Sequence, residues 1–315
     1  MIRYLRHDQV DADRWDDCIR EAVNGIFYAY SWYLDMCAGT WDALVEDDYR
    51  TVMPLPYREK AGIKYLFQPY FVQQLGVFSR QSLGIETTRR FLDAIPSGFR
   101  FAEFSLNTFN KLEAEHPYIA GKGITYELDL ISPYGQIRQN YSSNLRRKLK
   151  KGDEKGVFIT PHGRPEEIIR AFRNNRGRRG VPYGEKDYQL LKHLVYSGMH
   201  RGMVSIRCAY TETNDFCAGI IFFTSHKKSV LLFSGSTPEA YATNAMSLLI
   251  DHYIREQAGK ELVLDFEGSS DPNLARFYRS FGSEECVFLH IQMNRLPFIL
   301  KMAAGIYLYV RKYLR

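Results

Sequence analysis

The sequence predicts an α/β (α+β) protein with two domains in tandem, each a mixed, mostly antiparallel sheet flanked by helices. Three observations carry this expectation. The 315 residues are long for one core and suit two domains of ordinary size. The order of patterned segments repeats: helices, a run of strands, then helix and strand, twice over. Residues 261–282 read as a buried strand, a glycine turn, a short helix and a glycine stop, a unit typical of α/β sheets.

The first copy opens with helices over 12–23 and 32–37, where apolar residues recur at helical spacing. Strands follow at 43–46, 50–57 and about 70–77, then a helix over 87–94 and strands at 100–105 and 124–130. The second copy opens with a helix over 137–151, in which Leu145 and Leu149 lie four apart and face the core. A strand at 157–160 and helices over 165–173 and 185–201 come next. Strands at 204–210, 217–224 and 229–234 are apolar enough, and close enough in sequence, to pair antiparallel. A helix over 244–257 leads to the strand 261–266, where Leu262, Leu264 and Phe266 alternate with Val263, Asp265 and Glu267. Asp271-Pro272 opens a helix over 273–280, Gly282 ends it, and a strand at 286–293 follows. The expected domains are 1–132 and 133–294, with 295–315 a helix packed back on the body or, alternatively, lying on an anionic membrane surface.

Composition excludes several classes. No run of ~18 apolar residues is present, so no spanning helix is expected, and the start lacks the apolar stretch of a signal peptide. Cys18, Cys37, Cys208, Cys217 and Cys286 are odd in number without C-x-x-C spacing, which reads as reduced thiols of a cytoplasmic protein. Metal-ligand, serine-hydrolase and P-loop spacings are absent, so no metal is expected. Charge is uneven: residues 138–179 hold thirteen Lys and Arg against four acids, a local +9 in a chain of net charge +6. That asymmetry suggests an anionic partner, with a solvated basic face as the alternative.

Four constellations could carry chemistry. Strand alternation would put Asp265 and Glu267 on one face, roughly 6–7 Å apart, at a carboxyl strand end. Glu267, nearer the end, is the candidate general base, and Asp265 the more structural of the two. Gly235, Ser236, Thr237 and Asn244 form a strand-to-helix turn whose backbone N–H groups could meet donor phosphates, or simply turn the chain. Arg147 and Lys148 lie on the basic helix, whose cations suit diphosphate, tRNA phosphate or anionic lipid, with 176–180 adding a cationic loop. Tyr278 lies on the helix after the acidic strand, where acids beside a tyrosine could serve transfer chemistry, or where it packs as a buried aromatic.

Two stretches carry a family resemblance. Tyr278-Arg279-Ser280-Phe281-Gly282 resembles the closing motif of GNAT acyltransferases, and Asp265-Phe266-Glu267-Gly268 followed by 276–282 resembles the FemABX-type, GNAT-like acyltransferases. Residues 144–151, running on to Gly156-Val157, are similar to the basic helix and strand entry of the second Fem domain. The likeness is specific over roughly 134–290 and rests on element order before that. It implies two GNAT-like domains and transfer of an acyl or aminoacyl group to an amine. It further implies a small-molecule or envelope-precursor acceptor and an acyl-CoA co-substrate or an aminoacyl-tRNA donor. The chain lacks the Gln/Arg-x-x-Gly-x-Gly/Ala signature of acetyl-CoA enzymes, as Fem-type proteins do, and has Tyr278 where tRNA-dependent members often carry lysine. Peripheral contact with the inner membrane face and a non-catalytic module binding nucleic acid or lipid are the remaining alternatives.

Overall fold

The computed structural model describes residues 1–175, 177, 183–268 and 271–296. The expected C-terminal helix, beyond its first two residues, and the cationic stretch 176–180, apart from Gly177, lie outside the described residues. The chain divides into two compact units: Met1–Gly123 with the described residues from Val287 onward, and Ile124–Cys286.

In the first unit, β1 (Ile2–Leu5), which the sequence reading did not find, precedes α1 (Ala12–Glu21). The Asp11 side chain accepts the Arg14 N–H at 3.2 Å and caps α1. After α2 (Ser31–Ala38) come β2 (Trp41–Glu46), β3 (Thr51–Lys60) and β4 (Ile63–Phe67), an antiparallel meander. The short β5 (Phe78–Ser79) pairs with β3, and α3 (Ile85–Asp93) crosses to β6 (Phe99–Ser105), which is parallel to β4. The strand expected at 70–77 is irregular instead. Phe71 and Gly76 take φ of 61° and 98°, outside strand geometry, and the Asn24 and Asn110 side chains donate to the Val77 carbonyl. Leu44, Met53, Phe91, Phe99 and Ile291 belong to this unit's core.

The next strand, β7 (Ile119–Asp129), enters the second unit at Ile124. The single helix expected over 137–151 is two: α4 (Tyr134–Gln139) and α5 (Ser143–Asp153). The break is chemical. The Ser142 hydroxyl accepts the Leu145 N–H at 3.2 Å and restarts the helix, while Tyr141 turns inward, 2% exposed, against Phe281. Then follow β8 (Phe158–Thr160), α6 (Pro165–Asn174), α7 (Glu185–His200), β9 (Val204–Tyr210), β10 (Phe216–Ser225) and β11 (Lys228–Ser236). The antiparallel pairing expected of these last three strands is observed. The chain continues through α8 (Glu239–Thr243), α9 (Ala245–Gln257), β12 (Val263–Asp265), α10 (Pro272–Arg279) and β13 (Glu284–Asn294). Strand order in this unit is β7-β12-β11-β10-β9-β8.

Each unit thus runs an antiparallel trio, a helix, and a fourth strand parallel to the third: β2-β3-β4, α3, β6 in one and β9-β10-β11, α9, β12 in the other. In each, that fourth strand takes a further antiparallel neighbour, β13 on β6 and β7 on β12. The architecture is a mixed α/β fold with mixed sheets flanked by helices. No helix among the described residues is long and apolar enough to cross a membrane.

Candidate active site

The parallel pair β11–β12 holds only from Lys228↔Val263 to Val230↔Asp265. Beyond it β12 ends, while β11 runs on to Ser236. The parting has a local cause. Phe233 pairs with Ile221 and Leu231 with Phe222, so Leu232 is an extra residue, a β-bulge just past the last shared pair. A bulge bends its strand and raises its twist, which turns β11 away from β12. The freed edge can be read residue by residue. The Thr237 N–H donates to the Cys217 carbonyl at 2.8 Å. Antiparallel alternation then directs the Phe233 and Gly235 amides towards β10 and those of Ser234 and Ser236 away from it. Asn175 Nδ2 donates to the Ser236 carbonyl at 3.1 Å. The half-buried Ser234, with no strand partner on that side among the described residues, keeps a donor and an acceptor on the open edge.

Gly235 is therefore a strand residue opposite Gly219, and not part of a turn. A Cβ on Gly235 would collide with the Ile168 carbonyl, and one on Gly219 would lie 2.5 Å from the Ile168 side chain. The two glycines make the flat seat on which α6 lands. Gly235→Val should cost about 1–3 kcal/mol or more, because α6 must lift. A thermal melt reads this, and an unchanged midpoint would mean α6 is not seated there. Ser236 and Thr237 lead to Pro238. Thr237 borders a recess of about 270 Å³ with Arg170, Asn175, Phe216 and Glu239. Arg170 is exposed, has no ion-pair partner among the described residues, and also reaches a neighbouring recess of about 350 Å³. Asn244 adopts the left-handed region (φ 55°) between α8 and α9, and its carbonyl accepts the Ser247 N–H at 2.9 Å. Arg147 is exposed and Lys148 half-buried on α5, whose Leu145 and Leu149 face the core as expected.

The acidic pair departs from the alternation. The strand stops at Asp265, and Glu267 sits in a turn with φ 54°, so the two carboxylates do not share a strand face. Asp265 is 2% exposed, and its Oδ1 accepts from the Thr125 hydroxyl and from the Glu267 N–H (2.9 Å). Lys228 Nζ lies 3.7 Å from Asp265 Oδ2 and 2.5 Å from Glu127 Oε1. Burial pushes the Asp265 carboxyl above its ordinary range, with Lys228 opposing. Burial also works against the Lys228 ammonium, but Asp265 and Glu127 outweigh it and hold its pKa above the usual lysine value. Glu267 is half-buried, and a Cβ on the following Gly268 (φ 29°) would strike the Ile124 carbonyl, so the turn is seated on the β7 backbone. Tyr278 is 7% exposed and stacks on Phe266 with ring centroids 4.8 Å apart. The Asp271 side chain accepts the Asn273 N–H and starts α10 where the Asp-Pro pair predicts.

The structure thus puts Asp265 at the end of β12 beside Thr125 and Lys228, Glu267 in the turn beyond it, and Tyr278 on α10 against Phe266 in the core cluster. Gly235, Ser236 and Thr237 lie at the end of β11, and Asn244 at the start of α9. Sequence reasoning missed Lys228, Glu127 and Thr125, which surround Asp265. The signal available was a lysine opening the apolar run 228–233, which nothing in one sequence pairs with an acid a hundred residues earlier. Among the described residues no His, Cys, Asp and Glu group could hold a metal ion, and all five cysteines are free.

Residues 139–272 match the family model of the acetyltransferase (GNAT) domain. In structure the chain is similar to FemX, with a TM-score of 0.64 at 10% identity, covering 91% of this chain and 96% of that one. It is also similar to the C-terminal domain of a putative lysylphosphatidylglycerol synthetase from Agrobacterium fabrum (TM-score 0.55, 11% identity, 95% and 96% covered). A third likeness is to L-PGS from Bacillus licheniformis (TM-score 0.54, 11% identity, 96% of each chain). At these identities the likeness is one of fold, and that fold is FemABX-type and GNAT-like. No curated protein matches the chain in sequence.

Proposed function

We propose that this chain, whose residues 139–272 match the acetyltransferase (GNAT) domain model, transfers an acyl or aminoacyl group to an amine acceptor. The supporting observation is the parting of β11 from β12 at the Leu232 bulge. It leaves Ser234 a backbone donor and acceptor with no β12 strand beside them, and an extended, amide-bearing donor arm can add there as a strand does. Phosphates of an acyl-CoA or of an aminoacyl-tRNA end would reach the Thr237 recess, where Arg170, without an ion-pair partner among the described residues, supplies a cation beside Glu167 and Glu239.

The chemistry needs an unprotonated amine. Glu267 would take one proton from the ammonium, the freed nitrogen would attack the acyl carbon, the bond to the thioester sulfur or ester oxygen would break, and the second nitrogen proton, lost as the amide forms, would restore the proton that Tyr278 gives up. Tyr278 would return a proton to that leaving atom. Asp265, held by Thr125 and Lys228, would fix the turn that carries Glu267.

A panel of acyl-CoAs, aminoacyl-tRNAs and nucleotide sugars, screened by thermal shift, tests the reading. A true donor at a hundred times its Kd should stabilise the protein by about 2.7 kcal/mol. Amide formation on an added amine, read by mass spectrometry, should follow for that donor. Absence of both for every acyl donor, or a shift with nucleotide sugars alone, would overturn acyl transfer.

A further inference from the structure

We infer that the outer face of α5 is a docking surface for an anionic phospholipid bilayer. Leu145, Leu149 and Gly152 turn inward, the glycine so tightly that a Cβ would sit 2.9 Å from the Thr243 carbonyl of α8. Arg146, Arg147, Lys150 and Lys151 are exposed. At 100° per residue these four span an arc of about 140° centred opposite the buried side. They form the crest of the helix and not the wall of a pocket.

The charge on this crest is uncompensated. Several other cations of the same unit do pair with acids: Arg173 with Glu185, Arg207 with Glu256, Lys227 with Glu261, Arg255 with Asp251 and Arg279 with Glu285. None of the four on α5 has an ion-pair partner among the described residues, and the helix's one acid, Asp153, stands at its end, with Glu154 just beyond. The spacing works against the free helix. Arg146–Lys150 and Arg147–Lys151 are like-charge i,i+4 pairs, and the first turn holds no acid to complement the dipole. An external anion removes both penalties.

The shape favours a bilayer over a single-stranded polynucleotide. Residues 143–153 contain no aromatic on which a base could stack, and a convex crest offers no groove to track a strand. The adjoining α8 exposes Tyr241 to 70%, an amphipathic ring of the kind that settles at headgroup level. Each cation near an anionic leaflet strengthens binding roughly fivefold, so removing four should cost about a hundredfold or more. The inference does not depend on the transfer chemistry.

The test is sedimentation of the full chain with phosphatidylcholine vesicles, with and without one-third phosphatidylglycerol, at low and high salt. Binding should require phosphatidylglycerol and be released by salt. The variant Arg146→Glu/Arg147→Glu/Lys150→Glu/Lys151→Glu should lose about a hundredfold in affinity while melting as the parent does. If it does not fold, Lys150→Gln/Lys151→Gln, which preserves the helix, should still lose about tenfold or more. Equal binding to neutral vesicles, no binding to anionic ones, or retention by the variants would overturn the proposal. So would tighter binding of a transfer RNA than of vesicles at the same salt, which would assign the crest to nucleic acid.

Discussion

Glu267→Gln is expected to lower turnover by about 10²–10⁴-fold with the melting temperature unchanged. The substitution keeps the size and much of the hydrogen bonding of the side chain and removes its basicity. Glu267 stands one residue past the buried Phe266, at the end of β12, where the shared ladder with β11 has closed. Its backbone is tied to Asp265 and its φ of 54° is one that non-glycine residues seldom adopt, so the turn is held by its surroundings. Most alkyl amines are protonated at neutral pH, and transfer cannot begin until one proton leaves. Tyr278→Phe should cost less, because water can replace a phenol as proton donor. The comparison is turnover at saturating donor and acceptor. Normal turnover by Glu267→Gln would place the base elsewhere or mean that the amine arrives deprotonated.

Lys228→Met should be strongly destabilising for the second unit, by about 3–5 kcal/mol. The ammonium is the cation between the half-buried Glu127 and the fully buried Asp265, and its loss leaves the Asp265 carboxyl beside a second acid with no cation to offset it. Burial already works against the Asp265 charge, so the carboxyl would be driven to take up a proton. Chemical denaturation with parent and variant measures the loss. The double variant Lys228→Met/Asp265→Asn should recover part of it, since the two sites share one network. A loss below about 1 kcal/mol in the single variant would show that the network contributes little to folding.

Much of the second unit was legible because its signals are local. Leu145 and Leu149 mark the buried side of α5, the Asp271-Pro272 pair starts α10, and the apolar runs of β9, β10 and β11 pair as their spacing suggests. The failures are those that depend on partners distant in sequence. Nothing near residue 235 announces that its glycine faces a helix backbone, since the collision is with Ile168. The break at Tyr141 follows from its packing against Phe281, and the periodicity of 137–151 ran straight through it. The acidic pair was misplaced because alternation was extended two residues beyond a strand that ends at Asp265. In the first unit, the irregular run over 70–77 is apolar enough to read as a strand, and side-chain amides from Asn24, Gln68, Asn107 and Asn110, all but Gln68 reaching the Val77 carbonyl, hold it otherwise.

The placement of β13 on β6 bears on synthesis. Val287–Asn294 completes the first unit's ladder, yet the whole of Ile124–Cys286 is translated before it. At ribosomal speeds that interval is on the order of ten seconds or more. Through it, β6 must wait with a bare hydrogen-bonding edge, the kind of edge that recruits foreign strands. The N-terminal unit is therefore the later of the two to mature, although it is the first to emerge. A nascent chain arrested before residue 287 should remain protease-sensitive in its first hundred residues, and release of that arrest should convert the same residues to a resistant form.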